Sequence, residues 1–209
     1  EPLMSLRLAA SLPALRVRAA MLSSIRTFFA QRGVLEVETP ALSPAAVTDP
    51  AIASVAAAVH SLGTAPQYLQ TSPEFAIKRL LAAGSGDIFQ LCRVYRDEEL
   101  GRWHQPEFTM LEWYRIGFDD HALMAEVAEL VAAALAVVGR AAPPTVRVRY
   151  ADAIRDALDA GIDAPVEQLT ARLVARGVYV PGGLTRYGLL DLACATLIAP
   201  SFDPGTLTF

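Results

Sequence analysis

Cysteine is scarce in this chain: Cys92 and Cys194 lie far apart and form no CxxC or Cys/His cluster. That excludes a zinc site of the usual spacing and a disulfide framework, and both residues are expected to be buried free thiols. Positive charge is also short, 18 Lys and Arg standing against 22 Asp and Glu for a net charge of -4. A broad basic surface for holding nucleic acid is thereby disfavoured, although a local patch is not. No apolar run reaches the roughly 18 residues that a membrane helix needs, so no membrane partner is expected. The acid-poor stretch 4–21, with Arg7, Arg16 and Arg18, superficially resembles a targeting presequence. Its arginines interrupt any signal-peptide apolar region, and a cytoplasmic location is the expectation.

What is present is enough apolar material for a substantial core: 209 residues, 53% of them hydrophobic, the size of one domain or most of one. Apolar positions at helical spacing predict a helix over 15–31, stopped by Gly33, and a short strand over 34–40 ended by Pro40. The small-residue-rich segment 41–66 has turn signals and no firm strand. A strand at 68–70 runs into Thr71-Ser72-Pro73-Glu74, where Ser72 suits a helix cap and Pro73 the first turn of a helix to about Ala83. Segments 87–96 and 107–115, joined by the polar loop 99–105, predict a long antiparallel hairpin. Asp119 and Asp120 can cap an apolar helix ending near Val138. Beyond a break at 139–144, the pattern predicts a strand over 146–150 and helices over 151–160, 166–176 and 186–198. The expected organisation is a core over 1–144 and a mainly helical insertion or appendage over 145–209.

The hairpin carries the chemistry. Alternation puts Gln90, Cys92, Val94, Arg96 and Glu98 on one face of the first arm, and Phe108, Met110, Glu112 and Tyr114 on one face of the second. If both sets look the same way, that surface presents an arginine, two carboxylates, a phenol and an aromatic plate. Arg96 offers a fork of donors for phosphate or carboxylate oxygens, Phe108 a stacking surface, and Glu112 with Tyr114 a seat for an ammonium group. A cross-strand ladder of ion pairs among Arg96, Glu98 and Glu112 fits the pattern equally well. Asp97, Glu98 and Glu99 do not suggest a metal site, because neighbours on a strand point in opposite directions.

Arg96-Asp97-Glu98, followed by the run from Arg102 to Tyr114, resembles motif 2 of the class II lysyl-tRNA synthetase group. Residues 32–40 resemble motif 1, and Thr71-Ser72-Pro73-Glu74 resembles the amino-acid-binding turn, in the family's order over roughly residues 10 to 120. Leu91-Cys92-Arg93 and Glu99-Leu100-Gly101-Arg102 read like the branch of that group that attaches β-lysine to elongation factor P. The few residues ahead of the motif 1 helix, where a lysyl-tRNA synthetase carries an anticodon-binding domain, point the same way.

The resemblance implies an α+β fold: a class II synthetase-like antiparallel sheet flanked by helices, with a helical C-terminal appendage. It implies a homodimer through motif 1, and ATP-dependent activation of (R)-β-lysine or lysine as an adenylate. The acyl group would then pass to a lysine of elongation factor P. Arg96 would be catalytic, bridging the α-phosphate and the substrate carboxylate. Glu98, His104, Gln105 and Phe108 would join it around ATP, with Ser72, Glu74, Glu112 and Tyr114 around the substrate. Gln105 stands where the family's asparagine is expected, which favours a backbone contact there.

Simpler readings remain beside these. His104 would be a loop histidine, Glu74 an acid favoured by the helix dipole, Phe108 a core residue and Tyr114 a strand aromatic. His60 and His121 carry no assignment. The glycine-rich motif 3 and the magnesium-binding acids have no match here, and 206–209 reads as a strand cut short, so the chain is expected to be an incomplete, weakly active fragment. The alternatives are the core of a lysyl-tRNA synthetase, with tRNA as partner, and a non-catalytic dimerisation or regulatory module.

Overall fold

The computed structural model describes residues 10–98, 100–102 and 104–209. Glu99, Trp103 and the first nine residues lie outside these, and with them part of the 99–102 branch signature and Arg7 of the presequence-like stretch. The chain forms two compact units, the first ending at Arg140 and the second running from Ala141 to Phe209. No helix among the described residues is long and apolar enough to cross a membrane.

In the first unit, helix α1 (Leu12–Ala30) opens earlier than its apolar spacing predicts, because cap chemistry sets the start. Ser11 Oγ accepts from Ala14 N at 3.3 Å, and a proline sits in the first turn, where its missing N–H has no partner to lose. Gly33, in the left-handed region at φ 68°, turns the chain into β1 (Leu35–Glu36). Of the expected 34–40 strand only these two residues pair. Strands β2 (Leu42–Ser43), β3 (Ala56–Ala57) and β4 (Gln67–Leu69) then form a separate antiparallel sheet in the order β2-β4-β3.

Helix α2 (Glu74–Ala82) follows. Here the expected capping is offset by one residue. Pro73 is the cap, its carbonyl accepting from Ile77 N at 2.9 Å, while Ser72 Oγ accepts from Glu74 N at 3.3 Å just ahead of the helix. The hairpin is β5 (Ile88–Tyr95) and β6 (Glu107–Tyr114), paired antiparallel over the full length of both strands. β1 adds to β5 in parallel, so the sheet order is β1-β5-β6. Helix α3 (Asp120–Ala136) is capped by Asp119, whose Oδ1 accepts from Ala122 N at 2.8 Å.

Aromatic packing decides which face of the hairpin is left for chemistry. Phe29 of α1 stacks on Phe89 at 4.5 Å between centroids and lies 5.5 Å from Trp113. Phe28, Val34 and Leu130 complete this core, with Leu91 and Leu111 packed against it. Side chains alternate across a strand, so Gln90, Cys92, Met110 and Glu112 face away from that core.

The core side also holds a buried acid. Glu126 of α3 accepts from Trp113 Nε1 at 3.0 Å and lies 3.3 Å from Arg115 Nε. Arg115 Nη1 meets Asp87 at 3.2 Å, and both arginine nitrogens sit at ion-pair distance but off hydrogen-bond alignment. Removing charge while keeping the acceptor isolates the ionic part of this contact. Glu126→Gln should lower the unfolding free energy by about 1–2 kcal/mol, read from the denaturant midpoint at unchanged slope.

The second unit is a small helical cluster. α4 (Tyr150–Leu158), α5 (Val166–Ala175) and α6 (Arg186–Ala193) bury Ile154, Leu158, Leu169, Leu173, Leu189 and Leu190 between them. Ahead of them, β7 (Thr145–Val146) pairs in parallel with β8 (Leu207–Thr208). The strand predicted over 146–150 is thus mostly absent: Val148 N still reaches Phe209 O at 2.7 Å, but Tyr150 already begins α4. Likewise the helix predicted over 186–198 is α-helical only to Ala193, widening into a π turn over Cys194–Ile198. Pro200 lacks the N–H that an α-helical bond to the Thr196 carbonyl would need.

Candidate functional site

Cross-strand register brings the predicted residues together. Gln90 opposes Glu112, Cys92 opposes Met110 and Val94 opposes Phe108, so the two arms present one common face. Two cavities open against it. The first, about 770 Å³, is lined by Arg96, Glu98, His104, Gln105 and Phe108 among others. The second, about 560 Å³, is lined by Ser72, Glu74, Arg96 and Glu112, with the loop 47–52 as a further wall. Arg96 and Met110 line both. Arg96 is held by its Nε, which donates to the carbonyl of buried Thr71 at 3.4 Å, and its guanidinium lies 5.3 Å from the centre of the Phe108 ring.

Strand alternation does not explain how Glu98 arrives. Arg96 N still bonds Pro106 O at 2.9 Å, but β5 ends at Tyr95, and Asp97 N turns instead to Ala53 O at 2.9 Å. Glu98 then takes φ 62°, in the left-handed region, a conformation costing a non-glycine residue about 1–2 kcal/mol. The face expected to run from Gln90 to Glu98 by strict alternation therefore ends with the strand, and a turn brings Glu98 to the wall of the first cavity. Asp97 and Glu98 are thus not the strand neighbours pointing in opposite directions that the expectation of no metal site there assumes, and Glu99 lies outside the described residues. Among the described residues no three His, Cys, Asp or Glu side chains gather in a way that could hold a metal ion.

His104 and Gln105 stand on the exposed loop between the strands, where Gly101 N bonds His104 O at 3.1 Å and His104 N bonds Gly101 O at 3.3 Å. Glu74 is the first residue of α2, where the helix dipole favours an acid, and it also lines the second cavity, paired with Lys78 one turn on. Tyr114 joins this group through Glu112, its hydroxyl donating to Oε1 at 2.8 Å. No ion pair among the described residues reaches Glu112, which removes it from the cross-strand ladder. His60 and His121 are exposed and apart from both cavities.

Burial sets the electrostatics. It pushes the Glu112 carboxyl above its usual range; the Tyr114 hydrogen bond opposes that rise, the Glu74 charge adds to it, and Lys78 counters it. The Tyr114 hydroxyl is raised by burial and by Glu112. Cys92 is pushed up to about 11, first by burial and then by the Glu112 charge. It is a free thiol, as is Cys194, but neither is fully buried as the sequence led us to expect. A half-desolvated carboxylate carrying a phenol, with a second carboxylate nearby, has the chemistry to accept a cation.

Sequence reasoning missed the buried Thr71 carbonyl that orients Arg96, and the 47–52 wall. Neither has a local signal. Met110, the wall common to both cavities, was on the predicted face but had no role.

This chain belongs to the class II tRNA synthetases of the D, K and N group, whose family model matches residues 1–188. It is 53% identical over 166 residues to a protein of Pseudoalteromonas translucida named elongation factor P–(R)-β-lysine ligase, covering 77% of this chain and 49% of the relative. Proteins of the same name from Vibrio vulnificus and Salmonella arizonae are 55% and 56% identical over 125 and 126 residues. Those matches cover 58% of this chain in both cases, and 39% and 38% of the relatives. The chain thus spans half or less of the length of the curated relatives it matches.

Proposed function

We propose that this chain forms the front part, 1–144, of the catalytic core of a ligase that activates (R)-β-lysine with ATP and joins it to a lysine of elongation factor P. The observation that carries the reading is Arg96, common to a cavity with an aromatic plate and a cavity lined by Asp49, Glu74 and Glu112. A guanidinium at that junction suits two anions brought into contact, the α-phosphate and the substrate carboxylate. In the first step a carboxylate oxygen attacks the α-phosphorus and the bond to pyrophosphate breaks. In the second the acceptor amine attacks the acyl carbon, AMP leaves with the C–O electron pair, and the amine gives up a proton.

On this reading Phe108 stacks on the adenine, while Glu98, His104 and Gln105 line the nucleotide. Ser72, Glu74, Glu112 and Tyr114 receive the amino groups of the substrate. A cytoplasmic homodimer built on the motif 1 segment belongs to the same reading, supported by the exposed Leu12, Leu15 and Val17 of α1. Magnesium is the usual companion of the triphosphate. The described residues offer no cluster of three or more His, Cys, Asp or Glu side chains to hold it.

The second reading, a lysyl-tRNA synthetase core, is favoured by the family match itself. Pyrophosphate exchange by the complete protein separates the two. Exchange should be supported by (R)-β-lysine well above L-lysine, and strong L-lysine preference with tRNA charging would reverse the assignment.

A further inference from the structure

Asp97 lines neither cavity itself, but its bonds reach Glu98, which lines the first, and Ala53, which directly follows the wall of the second. Its backbone leaves the hairpin: after Arg96 N bonds Pro106 O at 2.9 Å, Asp97 N bonds Ala53 O at 2.9 Å and the two residues form an isolated antiparallel bridge. Ala53 directly follows the loop that walls the second cavity. The Asp97 side chain then turns back on the chain, Oδ1 accepting from Glu98 N at 2.9 Å. Among the described residues Glu98 is one of two non-glycines with positive φ, and the other, Asp159, closes a helix. An aspartate that takes up the next N–H competes with continued strand pairing and supports such a turn.

We infer that Asp97 is a positioning residue for the nucleotide cavity: its carboxylate holds Glu98 in the left-handed conformation that delivers the Glu98 side chain to ATP. The inference rests on the ATP-dependent reading above. It differs from a purely structural role because the link to Ala53 is made by backbone and survives a change of side chain. The substitution Asp97→Ala should therefore fold, with the Glu98 turn released.

The test is the KM for ATP in pyrophosphate exchange by the complete protein. Asp97→Ala should raise it about tenfold with kcat changed less than about threefold, and Asp97→Asn, which keeps the acceptor, should stay within about twofold of the parent. Glycine adopts positive φ without help, so Glu98→Gly supplies the reference from which the carboxylate is missing and the turn no longer needs holding. Adding Asp97→Ala to Glu98→Gly should then change the KM for ATP no further.

A full additional effect of Asp97→Ala in the Glu98→Gly background would overturn the inference. So would an Asp97→Asn variant as impaired as the alanine, or an alanine variant with the parent's KM. Failure of the underlying reading looks different: the parent protein itself shows no ATP-dependent exchange with any lysine-like substrate, and the inference falls with it.

Discussion

Arg96→Ala is expected to lower kcat/KM for adenylate formation by about 10³-fold or more, while the thermal midpoint stays within a degree or two. Arg96 lines both cavities, and on the proposed reading the charge it faces grows as the carboxylate and the α-phosphate approach each other. A fixed donor aimed at developing charge acts mostly in the transition state, and losing one costs on that scale. Its position is set by the Thr71 carbonyl and the Phe108 ring. Arg96→Lys keeps the charge but loses the planar fork and should recover only part of the rate. The half-buried side chain is not part of the Phe29 core, which is why stability should hardly move. Single-turnover formation of the adenylate, followed beside thermal unfolding, checks both halves. A variant with intact turnover would remove Arg96 from the chemistry.

Much of this site could be read in advance because it lies on an antiparallel hairpin. Period-two alternation over 88–95 and 107–114, once paired in register, is enough to bring Phe108, Met110, Glu112 and Tyr114 to one face. The helix caps at Ser11 and Asp119 are local hydrogen bonds, but only the one at Asp119 was anticipated. Where alternation was extended past the strand it failed. Nothing in Arg96-Asp97-Glu98 announces that the ladder changes partner to Ala53, because that contact joins segments more than forty residues apart in sequence.

The same limit explains the wall at 47–52 and the Thr71 carbonyl, both tertiary placements of residues with weak local preference. In the second unit the misreadings have a different source. Val146 to Tyr150 alternates as a strand does, yet only its first part finds a partner, and unpaired strand pattern yields to the helix that follows.

Glu112→Gln separates function from stability in opposite directions. Burial raises the Glu112 carboxyl, so the folded chain holds its proton to higher pH than the unfolded chain does. Below the unfolded value both states are protonated and the residue costs nothing. As pH rises through the raised folded value, stability is lost, and the charged group is a net burden at neutral pH. Glutamine removes that burden while its carbonyl can still accept from Tyr114 Oη, so the midpoint should hold or rise slightly. Binding should move the other way. A carboxylate facing a substrate ammonium makes a charge-assisted hydrogen bond, and its loss should raise the KM for the lysine-like substrate about 100-fold with a much smaller change in the KM for ATP. The pH profile carries the signature: the parent's kcat/KM for that substrate should fall on the acid side above the ordinary carboxylate range, and the glutamine variant should lack that limb. A variant that binds the substrate as the parent does would take Glu112 out of the ammonium seat, leaving Glu74 as the carboxylate to test next.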